Sequence, residues 1–421
     1  MTIVLPVLFA LAAGFVVLKY NKEGKPMPAT VYLLQDRKGM AAQTGEWKEV
    51  QARFEKAITI ARTNEEDIKS RLELAALFIQ EARVTGNHMY YDVAAMKYVN
   101  EVLAKEPANF EGLIYQALIY LSQHHFAEGL AIAEKARVAN PDNAFIYGIL
   151  TDANVELGNY KKAIAEADKM VSIRPDIRSY SRISYLREIH GDIPGAIEAM
   201  ELAVDAGAPG DESTEWCRVQ LGRLFEYEGD LQKAEECYNN SIQNRKQYGY
   251  AFAGLGRLAA NKKEYDKAIG YYMQADTLVK DYVFREEMVD LYEESGHADK
   301  AKAIVQSLLD EMNKETKAST ADENLGHYAD RELALLYVKA GDLDKALEHA
   351  LLEYKRRPKN IDVNETIAWV YYKRREGEKA VKYLEEALKT GSKNPNLLHK
   401  AELIYAMVGN NEKAKGYAKK G

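Results

Sequence analysis

The chain has 421 residues, is 47% apolar and 29% charged, and carries a net charge of −7. That much apolar residue supports a large core and excludes a disordered chain, while the mild acidity excludes a general nucleic-acid binder, which needs a basic face. Two cysteines, Cys217 and Cys237, exclude a disulfide framework and a cysteine zinc site.

The first segment, MTIVLPVLFALAAGFVVLK (residues 1–19), has no charged side chain before Lys19. Its apolar run, Thr2 to Leu18, lies at the short end of what spans a bilayer as a helix. Ala10-Leu11-Ala12 also offers a small-x-small cleavage site, so the segment reads as either a secretory signal peptide or a membrane anchor. Both place the protein in the cell envelope, with membrane association through residues 2–18 in the anchored case and the side of the membrane open. Residues 20–45 are weakly periodic and predict a linker. Residues 46–67, opening EWKEVQARFEKAITIART, predict a lone capping helix.

From residue 68 to 421 the chain repeats. Ala95, Gly129, Ala163, Ala196, Ala234, Ala268, Ala301, Ala346, Ala380 and Ala414 are spaced 34, 34, 33, 38, 34, 33, 45, 34 and 34 residues apart. A glycine lies five residues before six of them, at Gly158, Gly191, Gly229, Gly296, Gly341 and Gly409. A proline lies twelve residues after four, at Pro107, Pro141, Pro175 and Pro358. Each type has a mechanical use. The glycine relaxes a turn between two helices, and the proline ends the second. Small residues let paired helices approach closely, and aromatics such as Tyr238 and Tyr272 fill the gap to the next pair. The two long spacings fall on DAGAPGDES (205–213) and NKETKASTADEN (313–324), both expected as loops, and VTGNHMYY is expected as a lengthened turn.

Period, glycine and proline placement, and the pairs Leu221-Gly222 and Leu255-Gly256 together resemble the tetratricopeptide repeat family. The resemblance implies an all-α fold, a right-handed superhelix of about ten helix-turn-helix repeats, because no single unit can bury its apolar face alone. It also implies a concave face lined by the first helix (A) of each pair. The inward positions of the family pattern then hold Arg178, Tyr185, Trp216, Arg223, Tyr250, Arg257, Arg331 and Trp369, and Arg182 joins them in a central arginine strip. Tyr, Trp and Arg are the types that anchor interfaces.

The expected function is a non-catalytic scaffold or adaptor that binds a protein or peptide partner in this groove. The strip would suit an acidic or carboxylate-ended peptide. An Arg–Glu ladder between adjacent helices is the competing use of the same residues. A regulatory solenoid binding a small ligand or glycan, and a self-associating structural subunit of an envelope assembly, are the alternatives. No hydrolase, zincin, P-loop or dinucleotide motif occurs. An enzyme, a cofactor and nucleic acid are not expected. His124-His125 is the one histidine pair, and no metal is expected there.

Overall fold

The described residues form twenty-one α-helices and one short 3-10 helix, with no strand among them. The computed structural model describes residues 31–320 and 326–418. The apolar run of residues 1–19 lies outside them, and among the described residues no helix is long and apolar enough to cross a membrane. Residues 36–421 make one compact unit.

The lone helix Gly45–Thr63 precedes ten antiparallel pairs. Units 1 to 4 are Ile68–Thr85 with His88–Lys105, Phe110–Ser122 with Phe126–Ala139, Ala144–Glu156 with Tyr160–Ile173, and Ile177–Ile189 with Ile193–Asp205. Units 5 to 7 are Glu212–Glu228 with Leu231–Asn244, Gly249–Asn261 with Tyr265–Leu278, and Tyr282–Glu294 with Ala298–Thr320. Units 8 to 10 are Asp330–Ala340 with Leu343–Arg356, Ile361–Lys373 with Gly377–Ala387, and Pro395–Met407 with Asn411–Ala418.

Local chemistry sets these boundaries. Asp192, Asp230 and Asp342 cap second helices by accepting from the backbone N–H three residues on, which satisfies a donor the helix leaves orphaned. Asp176 and Ser179 close a reciprocal capping box. Every unit places one residue of its A–B turn at positive φ. Seven are glycines, and His124, Lys263 and Arg375 take the position in the other three.

Packing follows the small-against-large logic. A Cβ on Gly222 would stand 2.6 Å from the Tyr238 ring, and one on Gly254 would stand 2.5 Å from the same ring. Tyr238 therefore fills a slot open only because both neighbours are glycines.

Two loop expectations are corrected. The second helix of unit 7 runs on to Thr320, so residues 313–320 are helical. That stretch holds no Gly or Pro, and Asn313 anchors it by donating to Leu309 O and to the Tyr337 hydroxyl. The extra length before unit 2 goes into helices as well. Both helices of unit 1 have 18 residues and only Gly86 and Asn87 separate them. Within the segment expected as a linker, Arg37 is 4% exposed and donates to Glu81 at 2.6 and 2.9 Å and to Glu46 at 2.8 Å.

A seam joins successive superhelical turns, across about 200 residues of sequence. Lys280 N–H donates to Thr85 O at 2.9 Å, and Tyr328 N–H donates to Gln123 O at 3.1 Å. Ile361 N–H donates to the Tyr160 hydroxyl at 2.9 Å, and the Asn360 amide donates to Glu156 O at 3.0 Å. Arg357 pairs with Glu156, and a Cβ on Gly191 would collide with Gly391 O. Each A–B turn of units 1 to 4 thus meets the linker between the fifth and sixth units after it. One superhelical turn takes between five and six units, and the second turn rests on the first.

Candidate protein-interaction site

The inner face carries a ladder between consecutive A helices. Arg182 is bidentate to Asp152 at 2.8 and 2.6 Å and also donates to Gly148 O. One unit on, Arg223 donates to both oxygens of Glu188 at 3.0 and 2.9 Å. One further on, Arg257 donates to Glu226 at 3.1–3.3 Å and to the Tyr238 hydroxyl at 3.0 Å. The rule continues with Lys339 on Asp290 and Lys400 on Glu365. Burial pushes the Glu188 carboxyl above the usual carboxylate range, and Arg223 opposes that. Arg182, Arg223 and Arg257 therefore already hold carboxylate partners within the chain.

Arg178 differs. It is exposed, and its guanidinium lies over the Phe145 ring, 4.7 Å from the centroid. Arg331 sits on unit 8 with its Nε buried and unpartnered, although burial is outweighed by Asp362 and Glu332 and its pKa is raised. Trp369 stacks on Tyr372 at 4.9 Å, and the ammonium groups of Lys373 and Lys400 lie 4.7 and 5.5 Å from its ring centroid.

The first superhelical turn encloses a groove of about 1640 Å³. Five of the nine residues expected on the binding face line it: Arg178, Arg182, Tyr185, Trp216 and Tyr250. Arg223, Arg257, Arg331 and Trp369 are not part of that wall. Tyr185 keeps 37% of its surface open, which is high for a tyrosine facing inward. Burial raises its phenol pKa, with Asp362, Glu156 and Glu188 adding to the effect.

The groove is also lined by apolar residues that were not expected on the binding face. Phe110, Ile114, Tyr115 and Leu118 on unit 2, Phe145 on unit 3 and Ile177 on unit 4 form a hydrophobic wall. All of them pack against the core between helix pairs as well, so no separate signal for a groove wall stands in the sequence. The groove is also acidic, with eight carboxylates in its lining against four arginines. Arg83 reaches Glu212 at 2.6 Å and Arg174 reaches Asp176 at 3.3 Å, so with Arg182 three of those four are paired.

Thiol chemistry is suppressed. Burial pushes Cys217 up to about 12 and Cys237 up to about 11, leaving both protonated at neutral pH.

Residues 114–176 and 219–279 match a family model described as tetratricopeptide repeat. None of the curated proteins matches the chain in sequence. Among solved structures it is similar to the human IFIT1 dimer with PPP-AAAA, at 14% identity and a TM-score of 0.50, covering 84% of this chain and 81% of that one. The APC/C hetero-tetramer Cut9–Hcn1 follows at 16% identity and 0.48, covering 85% and 67%. YrrB, a TPR protein with an unusual peptide-binding site, covers 44% of this chain and 94% of its own, at 18% identity and 0.30. In fold, and in the two segments that match the family model, the chain is similar to the tetratricopeptide repeat proteins.

Proposed function

We propose that the chain is a non-catalytic scaffold that seats a peptide or domain of a partner protein in the concave groove of its first superhelical turn. The observation that carries this reading is the groove itself, whose hydrophobic wall of Phe110, Leu118, Phe145 and Ile177 faces an open space lined by more carboxylates than arginines. A wall of that kind recognises aromatic and aliphatic side chains by desolvation, and the carboxylates of Glu111, Asp142 and Asp211, which are in no ion pair among the described residues, favour lysine or arginine beside them. The partner segment is accordingly basic and apolar rather than acidic, because three of the groove's four arginines, Arg83, Arg174 and Arg182, already hold carboxylates and only Arg178 does not. Repeat proteins of this fold serve generally as interaction scaffolds, which supports the class of function but not the partner. Placement in the cell envelope belongs to the same proposal and rests on the apolar run of residues 2–18.

Selecting a random peptide library displayed on phage against the purified chain tests the reading. The expected result is enrichment of peptides that combine Lys or Arg with aromatic or aliphatic residues. Their affinity should fall at least about tenfold on a Phe145→Ala/Tyr185→Ala variant of unchanged helicity, a loss near 1.4 kcal/mol. Enriched peptides that bind parent and variant equally, or that are predominantly acidic, would overturn it.

A further inference from the structure

We infer that His124, His327 and Glu332 form a binding site for a divalent transition-metal ion, best suited to Zn²⁺, at the seam between the two superhelical turns. His124 lies in the A–B turn of unit 2, His327 in the segment leading to unit 8, and Glu332 in the first turn of helix Asp330–Ala340. One ligand atom from each lies within 4.8 Å of the other two. The rings of His124 and His327 are 4.2 Å apart.

Two features make this a site rather than a chance grouping. Glu332 is 7% exposed and its Oε2 is buried with no hydrogen-bond partner, which is costly for a carboxylate oxygen unless something cationic meets it. His124 lies 3.0 Å through Nδ1 from the Tyr328 carbonyl. A carbonyl can only accept, so Nδ1 carries the proton and Nε2 presents its lone pair, the tautomer that metal-bound histidines take when a backbone carbonyl orients them.

The donor set selects the ion. Two imidazoles and one carboxylate suit Zn²⁺ and its first-row neighbours, whereas Mg²⁺ and Ca²⁺ require oxygen ligands. Bonds of about 2.0–2.2 Å at tetrahedral angles place ligand atoms roughly 3.4 Å from one another, a spacing that side-chain rotation can reach from a group already within 4.8 Å. His124 occupies the positive-φ position that glycine holds in seven of the ten units, with φ at 62°. The ion would join segments about 200 residues apart in sequence and fasten the second turn to the first.

Titration of the untagged, metal-free full chain with Co²⁺, followed by displacement with Zn²⁺, tests this. The expected result is one Co²⁺ per chain with visible d–d bands of a low-coordinate N/O site, and a Zn²⁺-dependent rise in melting temperature. His327→Gln and Glu332→Gln should each weaken binding at least about 100-fold, above the usual loss for removing an outer-shell partner. His399→Gln, at an exposed histidine, should leave it unchanged. Circular dichroism of the metal-free variants separates loss of ligand from loss of fold. Absence of stoichiometric binding at micromolar metal, or binding that survives both substitutions, overturns the assignment.

Discussion

Replacing Arg357 by alanine is expected to lower stability by about 3–5 kcal/mol, the cost of leaving a buried charge without its partner. Arg357 is 5% exposed, and its guanidinium sits between Glu353 and Glu156 and over the Phe126 ring. Glu353 is 2% exposed, so once Arg357 is gone its carboxylate keeps only Arg356 and loses the closer enclosed partner. The position also joins two turns, since Glu156 belongs to unit 3 and Arg357 follows unit 8. A urea unfolding curve reads the loss as a shift in midpoint. Joint replacement by Met at 357 and Leu at 353 is expected to recover much of the loss, because apolar residues of similar volume do not carry the desolvation cost. A shift below about 1 kcal/mol for Arg357→Ala would mean that the pair is open to water and the seam weaker than its geometry suggests.

Tyr238→Ala should be comparably severe, about 3–5 kcal/mol, for a different reason. The ring is fully buried between Gly222 and Gly254, and neither backbone can move inward to fill the void without breaking its helix. Its hydroxyl also bonds Glu226 and accepts from Arg257, so the change removes one member of the inner ladder. Tyr238→Phe separates the two contributions. It keeps the ring and should cost only about 1–3 kcal/mol, the price of unpairing a buried polar group. Differential scanning calorimetry of the two variants beside the parent measures both. Equal losses would assign the effect to the hydroxyl network rather than to the packed ring.

Much of this architecture is legible in the sequence because the repeat carries it. The all-α solenoid expected from a 34-residue period is the fold observed, and the glycines expected at the A–B turns do take positive φ. The turns without glycine were harder, since nothing in the local sequence says that His124, Lys263 and Arg375 adopt the same conformation. Periodicity also misled where an insertion could extend a helix: NKETKAST is polar, but its residues tolerate helix well. The arginines were found, and so was the ladder as their competing use. Which use prevails depends on rotamers 30–35 residues apart, and the spacing alone does not decide that.

The seam was not legible. It pairs residues about 200 apart, such as Tyr160 with Ile361, through a superhelical pitch that no single unit encodes. The juxtaposition of His124, His327 and Glu332 was not legible for the same reason. His124 and His327 are unremarkable in their own neighbourhoods and meet only when the second turn comes down on the first.

That contact between turns is the central claim, because it makes a solenoid of neighbour contacts into a closed two-turn body. Such arrays ordinarily gain stability only from adjacent units. Three amides report on it directly. Lys280, Tyr328 and Ile361 lie before or at the start of their helices, where the helix itself supplies no acceptor, and each donates across the seam. Hydrogen exchange of the full chain, resolved to these positions, is predicted to show all three slowed at least about 100-fold relative to an unstructured chain. Exchange at the unstructured rate, with the cores of the same helices protected, would show that the turns do not touch and would contradict the account.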